Sequence, residues 1–366
     1  MIEVSEINSS AEMAKIRHAW SDLLDRSRNA GVFQTWEWLS SCREHFGRGK
    51  RMMLICVRDG ARLVGLAPLE IAPMYGLPLR RAQFIGTGVS DYLDLIADAD
   101  HENPVVEAIF SHIESHHPRW DILDLHQIPA DSCILQRAES PNGHSSVVNQ
   151  DVCPYLPLPT SWDDLASRLG KKTRYNLGYY ERLTRREFDV HLGLMQKHEL
   201  DEGMDAFFRL HTQRWRRRWL PGVLCGGRTK RFHRDVARHF HANDWLRMHG
   251  MRLDGELRAV LYCFTFRGKA YYYLGGFEPD LAKYSLGTVL TGYAIRDAIE
   301  RGCREFDFLR GNEPYKLRWT QEHRTNSRLV TRKPTTRSAL AAAICRLEQR
   351  MEHHGKELLH NHFGAG

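Results

Sequence analysis

Apolar side chains recur along this 366-residue chain with two periods, and the switches between them mark its elements. In residues 8–28 the positions Ile16, Ala19, Trp20 and Leu23 form a helical stripe. Residues 33–45 read as a second helix, rich in aromatics. Strand-like runs follow at 52–58, 63–71 and 79–85, and Asp59-Gly60 joins the first two as a hairpin turn. Residues 104–116 are helical, with Pro104 near the start, and 120–126 form another strand. Residues 129–159 are polar and turn-rich, with Pro129, Pro141, Asn142-Gly143, Pro154, Pro157 and Pro159. They predict a connection between two halves, with strand pairing inside it.

The second half begins with helical patterns at 163–186, 201–218 and 229–243. A strand, an Asp254-Gly255 turn and a second strand follow. Next come an aromatic strand, a loop, a helix opening beside Gly287 and a strand ending in Asp307-Phe308-Leu309-Arg310-Gly311. The first half has the same order: strand, turn, strand, strand, loop, helix, strand. Asp124 in the first half stands where Asp307 stands in the second. This echo predicts a tandem pair of α/β domains, at residues 1–150 and 151–333. Residues 334–366 form a helical tail, with Leu340, Ile344, Leu347 and Met351 at i, i+4, i+7 and i+11. The tail either packs on its own domain, joins two chains in a homodimer or lies on a membrane surface.

Charge sharpens this picture. Residues 167–234 hold 17 Lys and Arg against 7 Asp and Glu, while the whole chain carries +7. The basic excess is therefore local, and suits phosphates, nucleic acid, anionic lipid or an acidic polysaccharide precursor. No run of apolar residues reaches membrane-spanning length, and the first residues do not read as a secretory signal. Eight scattered cysteines form no C-x-x-C pair, which excludes the common zinc and redox motifs. These features predict a cytoplasmic protein. His112, His116 and His117, and His239 with His241, come near metal-ligand spacing without acidic or thiol partners, so no metal is expected. No Walker A motif, nucleophile elbow or helix-turn-helix is present, so no specific nucleic-acid partner is expected.

Candidate chemistry gathers between Tyr271 and Trp319. A helix opening beside Gly287, directly after a strand, offers free backbone N–H groups to an anion. Asp307 alternates with Phe306 and Phe308, so it points away from both. It is either a general base raised by an apolar wall or a structural partner of the following loop. Tyr315 is placed to protonate a leaving group, and Lys316 and Arg310 to bind anions. Arg174, Arg214 and Arg216–Arg218 form a basic face flanked by Trp215 and Trp219, or a solvated helix surface.

Together these residues resemble the acyl-CoA N-acyltransferase superfamily, the GNAT fold, in its cellulose-biosynthesis CelD-like branch. That branch is similar to Fem-type peptidyl transferases, which carry two GNAT-like domains in tandem. The resemblance rests on Lys171-Lys-Thr-Arg174-Tyr-Asn176-Leu177 with Glu181-Arg-Leu183, and on Leu210-His211 with Arg214-Trp215. It continues through Leu253-Asp-Gly255-Glu-Leu, Phe277-Glu-Pro-Asp-Leu-Ala with Ser285-Leu-Gly287, and Phe306-Asp307-Phe-Leu-Arg310-Gly311 with Tyr315-Lys316 and Trp319.

The resemblance implies an α/β chain of two tandem GNAT-like domains, each a mixed sheet flanked by helices. It implies an acyl-CoA donor, acetyl-CoA or another, held by Lys283, Tyr284, Ser285, Gly287 and Thr288. Catalysis falls to Asp307 and Tyr315, and acceptor binding to Arg174, Arg214, Trp215, Arg310 and Lys316. The implied acceptor is an amine on a small or lipid-linked sugar of an exopolysaccharide or envelope precursor, reached with or without peripheral membrane contact. Aminoacyl-tRNA-dependent transfer of the Fem type and a non-catalytic nucleotide sensor are the alternatives. One departure stands out. The family's phosphate loop is Gln/Arg-x-x-Gly-x-Gly/Ala, whereas Tyr284 and Val289 occupy its ends here. Lys283 or Arg296 is expected to supply the missing cation.

Overall fold

The computed structural model describes residues 2–115, 119–138, 145–217, 222–224 and 226–363. Its strands are β1 (Ile2–Ile7), β2 (Arg51–Asp59), β3 (Arg62–Met74), β4 (Leu77–Phe84), β5 (Ile96–Ala97), β6 (Ile122–Pro129) and β7 (Ser145–Pro157). They continue as β8 (Val190–Leu194), β9 (Leu246–Leu253), β10 (Glu256–Phe266), β11 (Lys269–Phe277), β12 (Glu305–Asp307) and β13 (His323–Arg332). The helices are α1 (Ser10–Lys15), α2 (Arg17–Arg26), α3 (Trp36–Phe46), α4 (Glu102–Ser115), α5 (Cys133–Ala138) and α6 (Trp162–Arg168). They end with α7 (Lys171–Glu187), α8 (Leu200–Arg216), α9 (Gly227–Ala242), α10 (Leu286–Glu300) and α11 (Thr336–Phe363). The chain is thus a mixed α/β protein whose sheets carry flanking helices.

It divides into two compact units, residues 1–152 with 324–366, and residues 153–323. The second unit is continuous in sequence, while the first takes back the chain's end. Two interactions explain the return. Strand β13 pairs antiparallel with β6, from Asn326↔Pro129 to Arg332↔Ile122. Helix α11 then buries Ala341, Ala342 and Cys345 against Met74, Leu79 and Ile122. Residues 324–333 and the tail therefore count with the first unit.

In the first unit the sheet order is β1-β2-β3-β4-β6-β13, with β5 added to β3. Gly60 takes φ +57° in the β2–β3 turn, a conformation natural to glycine. The chain crosses through α4 to enter β6 parallel to β4, at Arg81↔Ile122. Val105, Ile109 and Ile113 of α4 face the sheet at helical spacing, and Gly65 admits Val105 where a Cβ would clash at 2.3 Å. Just past the last parallel pair, Ala82↔Leu123, lies Asp124 of β6, fully buried. Arg328 grips it with two hydrogen bonds, 2.7 and 2.8 Å, and His126 approaches at 3.1 Å. Arg81 lies 3.4 Å away and also binds Glu348 of α11. Hydrogen bonds and charge from His126 and Arg328 overcome the cost of burial and hold the carboxyl far below the usual range.

A second buried carboxyl behaves oppositely. Burial lifts Asp94 to about 7, against hydrogen bonds from Ser132 and the Leu95 amide. Its folded pKa exceeds its unfolded one, so the protonated form stabilises the fold and that stability disappears as pH rises through 7. Both donors meet Oδ1, which asparagine retains. Asp94→Asn is therefore expected to gain on the wild type by about 2–4 kcal/mol between pH 5 and pH 8. Urea midpoints at the two pH values measure this. A constant gap would refute it.

The second unit repeats the plan, with sheet order β7-β12-β11-β10-β9-β8. Asp254 and Gly255 turn β9 into β10 with φ +51° and +83°. The chain then crosses through α10 to enter β12 parallel to β11. Gly276 admits α8, where a Cβ would lie 2.9 Å from Leu210 and His211. The adjacent Gly275 faces Tyr272, Leu261 and Phe277 on the α10 side. Neighbouring strand residues point to opposite faces, so α8 and α10 cover opposite sides of the sheet. Gly292 lets α10 approach Leu177 of α7.

Candidate acyl-transfer site

Strands β11 and β12 pair over only three residues, Lys269↔Glu305 to Tyr271↔Asp307, and then part. Tyr273 is an extra residue opposite β10, since Tyr262 pairs with Leu274 and Cys263 with Tyr272. Such a bulge re-aims side chains, and this one sits where the parallel ladder ends. Helix α10 begins beyond the far end of β11, after a 3-10 turn at Pro279–Tyr284. Ser285 joins the two in the left-handed region, φ +47°, and its hydroxyl contacts Thr288 Oγ1 at 2.9 Å rather than capping the helix. The N–H groups of Leu286 and Gly287 have no acceptor among the described residues. They mark the positive end of the helix.

A cavity of about 330 Å³ opens there, lined by Arg214, Arg217, Phe277, Ser285 and Gly287 among others. Arg214 lies over the Phe277 ring, 5.7 Å from its centre, with no carboxylate partner among the described residues. Arg217 pairs with Asp280 at the rim. The cations lining this cavity thus come from the end of α8, two helices earlier in the chain than α10. Arg214 was expected at the acceptor, and it lines the cavity beside Ser285 and Gly287. Arg217 was legible only as part of a basic run.

The loop residues divide. Ser285 and Gly287 line the cavity, and Thr288 supports Ser285. Gly287 is small for a further reason, because a Cβ there would stand 3.1 Å from Phe277. Tyr284 turns away: it is buried against Phe188, and its hydroxyl donates to Glu187. Lys283 follows it, 4.6 Å over the Tyr284 ring and 3.5 Å from Glu187. Arg296 stacks on Trp162 at 4.6 Å. The aromatic residue that breaks the loop pattern therefore anchors the loop to α7, and neither expected cation reaches the cavity.

The strand end has its own division of labour. Asp307 is fully buried and accepts the Leu309 N–H at 2.7 Å, which fixes Leu309 at φ +58°. Lys316 is also buried. Its ammonium donates to the Leu309, Arg310 and Gly311 carbonyls at 3.3, 2.7 and 3.3 Å, and meets Glu313 at 2.9 Å. Its three protons are spent inside the loop, so the expected anion contact of Lys316 gives way to a structural one. Arg310 is half-buried and lends its carbonyl to that knot. Arg174 is exposed on α7, outside the cavity lining.

Tyr315 packs edge-on to Tyr272, ring centres 6.0 Å apart. Burial drives both phenols up, while Arg214 nearby pulls the other way. Both are therefore protonated at neutral pH. The Trp215 indole N–H donates to His211 Nε2 at 3.0 Å, so Trp215 serves the helix interior. Burial, reinforced by Arg214, pulls His211 down to about 4 and keeps it neutral. Tyr272 carries no motif of its own, and strand periodicity alone could not single it out. Arg218, Trp219, His116, His117 and Cys225 lie outside the described residues. His112 approaches Glu6 at 3.4 Å.

Residues 171–317 match the family model described as an acetyltransferase (GNAT) domain. Among solved structures, FemX is similar over 89% of this chain and 96% of its own, with a TM-score of 0.65 at 9% identity. The C-terminal domain (DUF2156) of a putative lysylphosphatidylglycerol synthetase from Agrobacterium fabrum covers 90% and 96%, with a TM-score of 0.55 at 11% identity. A tandem GNAT protein from the clavulanic acid biosynthesis pathway covers 91% and 100%, with a TM-score of 0.50 at 14% identity. No curated protein matches the sequence. The fold these likenesses share is the tandem GNAT architecture expected from the sequence.

Proposed function

We propose that this chain, whose residues 171–317 form a GNAT-type acyltransferase domain, moves an acyl group from acyl-CoA to an amine. The observation that carries the reading is the cavity at the start of α10, lined together by Leu286, Gly287, Arg214 and Arg217, where no side chain caps the helix. Helix N-terminus and guanidinium together suit a pyrophosphate. The donor brings an activated thioester. Arg214, Arg217 and the Leu286 and Gly287 amides hold its phosphates, and the parting of β11 and β12 gives its acyl end a path into the sheet.

The chemistry left to the protein is small. The amine nitrogen bonds to the acyl carbon, the C–S bond breaks, the sulfur takes a proton from a phenol, and the proton lost by the nitrogen returns through water to that phenol. Tyr315, kept protonated by burial and by its Tyr272 neighbour, is the donor of that proton. Asp307 acts by fixing the loop that carries Tyr315. Tyr315→Phe is expected to lower kcat about 100-fold while leaving acetyl-CoA affinity nearly unchanged. Equal losses in both would mark it as a packing residue.

The proposed acceptor is an amino sugar of an exopolysaccharide or envelope precursor, in keeping with the CelD-like motifs. A second reading, aminoacyl transfer of the Fem type, is favoured by the likeness to FemX along nearly the whole chain. Thiol release from acetyl-CoA in the presence of hexosamines separates the two. Release that depends on the acceptor supports the first. Absence of release, with transfer from aminoacyl-tRNA, supports the second.

A further inference from the structure

Helix α7 carries a surface that the acyl-transfer site does not use. Leu177, Tyr180 and Leu183 face the core of the second unit. Lys172, Tyr175, Tyr179, Arg182 and Arg186 fall at i, i+3, i+7, i+10 and i+14, one stripe on the other side. Tyr175 is 64% exposed and Tyr179 42%, and their rings stack 5.9 Å apart at 12°. The acids of the helix are taken: Glu181 by Arg185, and Glu187 by Arg186, Lys283 and Tyr284. Lys171, Lys172, Arg174 and Arg182 are exposed and have no carboxylate partner among the described residues. At the start of α7, Thr173 donates to the Arg318 carbonyl at 3.0 Å. This brings exposed Leu317 and Arg318 beside the patch.

We propose that this face is a docking surface for an anionic lipid bilayer. Lys171, Lys172, Arg174 and Arg182 carry one sign of charge with no carboxylate partner among the described residues, which complements anionic headgroups. Tyrosines are side chains of the membrane–water interface, with an apolar ring and a polar tip. Exposed Leu317 adds apolar area, which a bilayer rewards and a nucleic-acid strand does not. No helix among the described residues is long and apolar enough to cross a membrane, so contact of this kind lies along the surface. The patch runs from the closing loop at Thr173–Arg318 to the cofactor loop at Glu187–Tyr284, so docking brings both loops to the bilayer. A lipid-linked acceptor would then be met where it resides, a deepening that rests on the proposed acyl transfer.

The test is co-sedimentation of the full chain with phosphatidylcholine vesicles, with and without phosphatidylglycerol. Selective binding to the anionic vesicles is expected. Lys171→Glu with Lys172→Glu should weaken it roughly tenfold or more, and Tyr175→Ser with Tyr179→Ser should weaken it further. Acetyl-CoA binding and the melting temperature should be unchanged in both variants, which separates loss of docking from failure of the transfer reading and from misfolding. Equal binding to neutral and anionic vesicles, or full retention by the charge-reversed chain, would overturn the proposal. Capture of a single-stranded RNA without vesicle binding would overturn it too and assign the patch to nucleic acid.

Discussion

Arg214→Glu combined with Arg217→Glu is expected to weaken acetyl-CoA binding by about 100-fold or more. Each removes a charge-assisted contact, of about 1.5–3 kcal/mol, and sets a carboxylate where the phosphates belong. Arg217 is exposed and Arg214 half-buried at the last turn of α8, beyond its buried stretch, so the fold should survive. The matched control is Lys283→Glu, expected to change affinity little because Lys283 sits over Tyr284 and beside Glu187. Calorimetric titration of the three chains decides between the two sources of cation. A strong loss in the Lys283 variant with little in the double variant would return the phosphates to the loop.

Asp124→Ala is expected to cost the first unit about 3–5 kcal/mol, the usual price of orphaning a buried guanidinium. Arg328 is nearly inaccessible and binds Asp124 through two nitrogens. Glu348 of α11 lies 3.7 Å from Arg328 and is itself held by Arg81, so it replaces the lost carboxylate only in part. Because the folded pKa of Asp124 is depressed, this contribution is present at neutral pH and is lost only as pH falls through that low value. Denaturant melts at pH 7 measure the loss. A change under 1 kcal/mol would show that the network holds without its central carboxylate.

The two aspartates show what a repeat in sequence conveys. Asp124 and Asp307 stand where the parallel ladders end, and the expected topology follows them: two meanders, each with a helical crossover into a short parallel pair. Their duties differ, because neighbours distant in sequence decide them. Asp124 meets Arg328 from β13, and Asp307 meets the amide two residues on. Strands β1, β8 and β13 went unread, since their charged or interrupted patterns alternate poorly and pairing alone defines them. Gly287 was legible because a glycine at a helix start has few uses. That Arg214 lies beside the Ser285–Gly287 turn was not legible, since nothing local tells which loop the end of α8 reaches. Lys316 looked like a surface cation, and only the curl of residues 309–316 turns it inward.

The central claim is that the donor's phosphates sit on the first turn of α10. Hydrogen exchange with and without acetyl-CoA tests it at those amides. Exchange is expected to slow in the peptide spanning residues 279–289 and at the end of α8, and the slowing should vanish in the Arg214→Glu, Arg217→Glu chain. Unchanged exchange across residues 279–289, with or without protection elsewhere, would contradict the account.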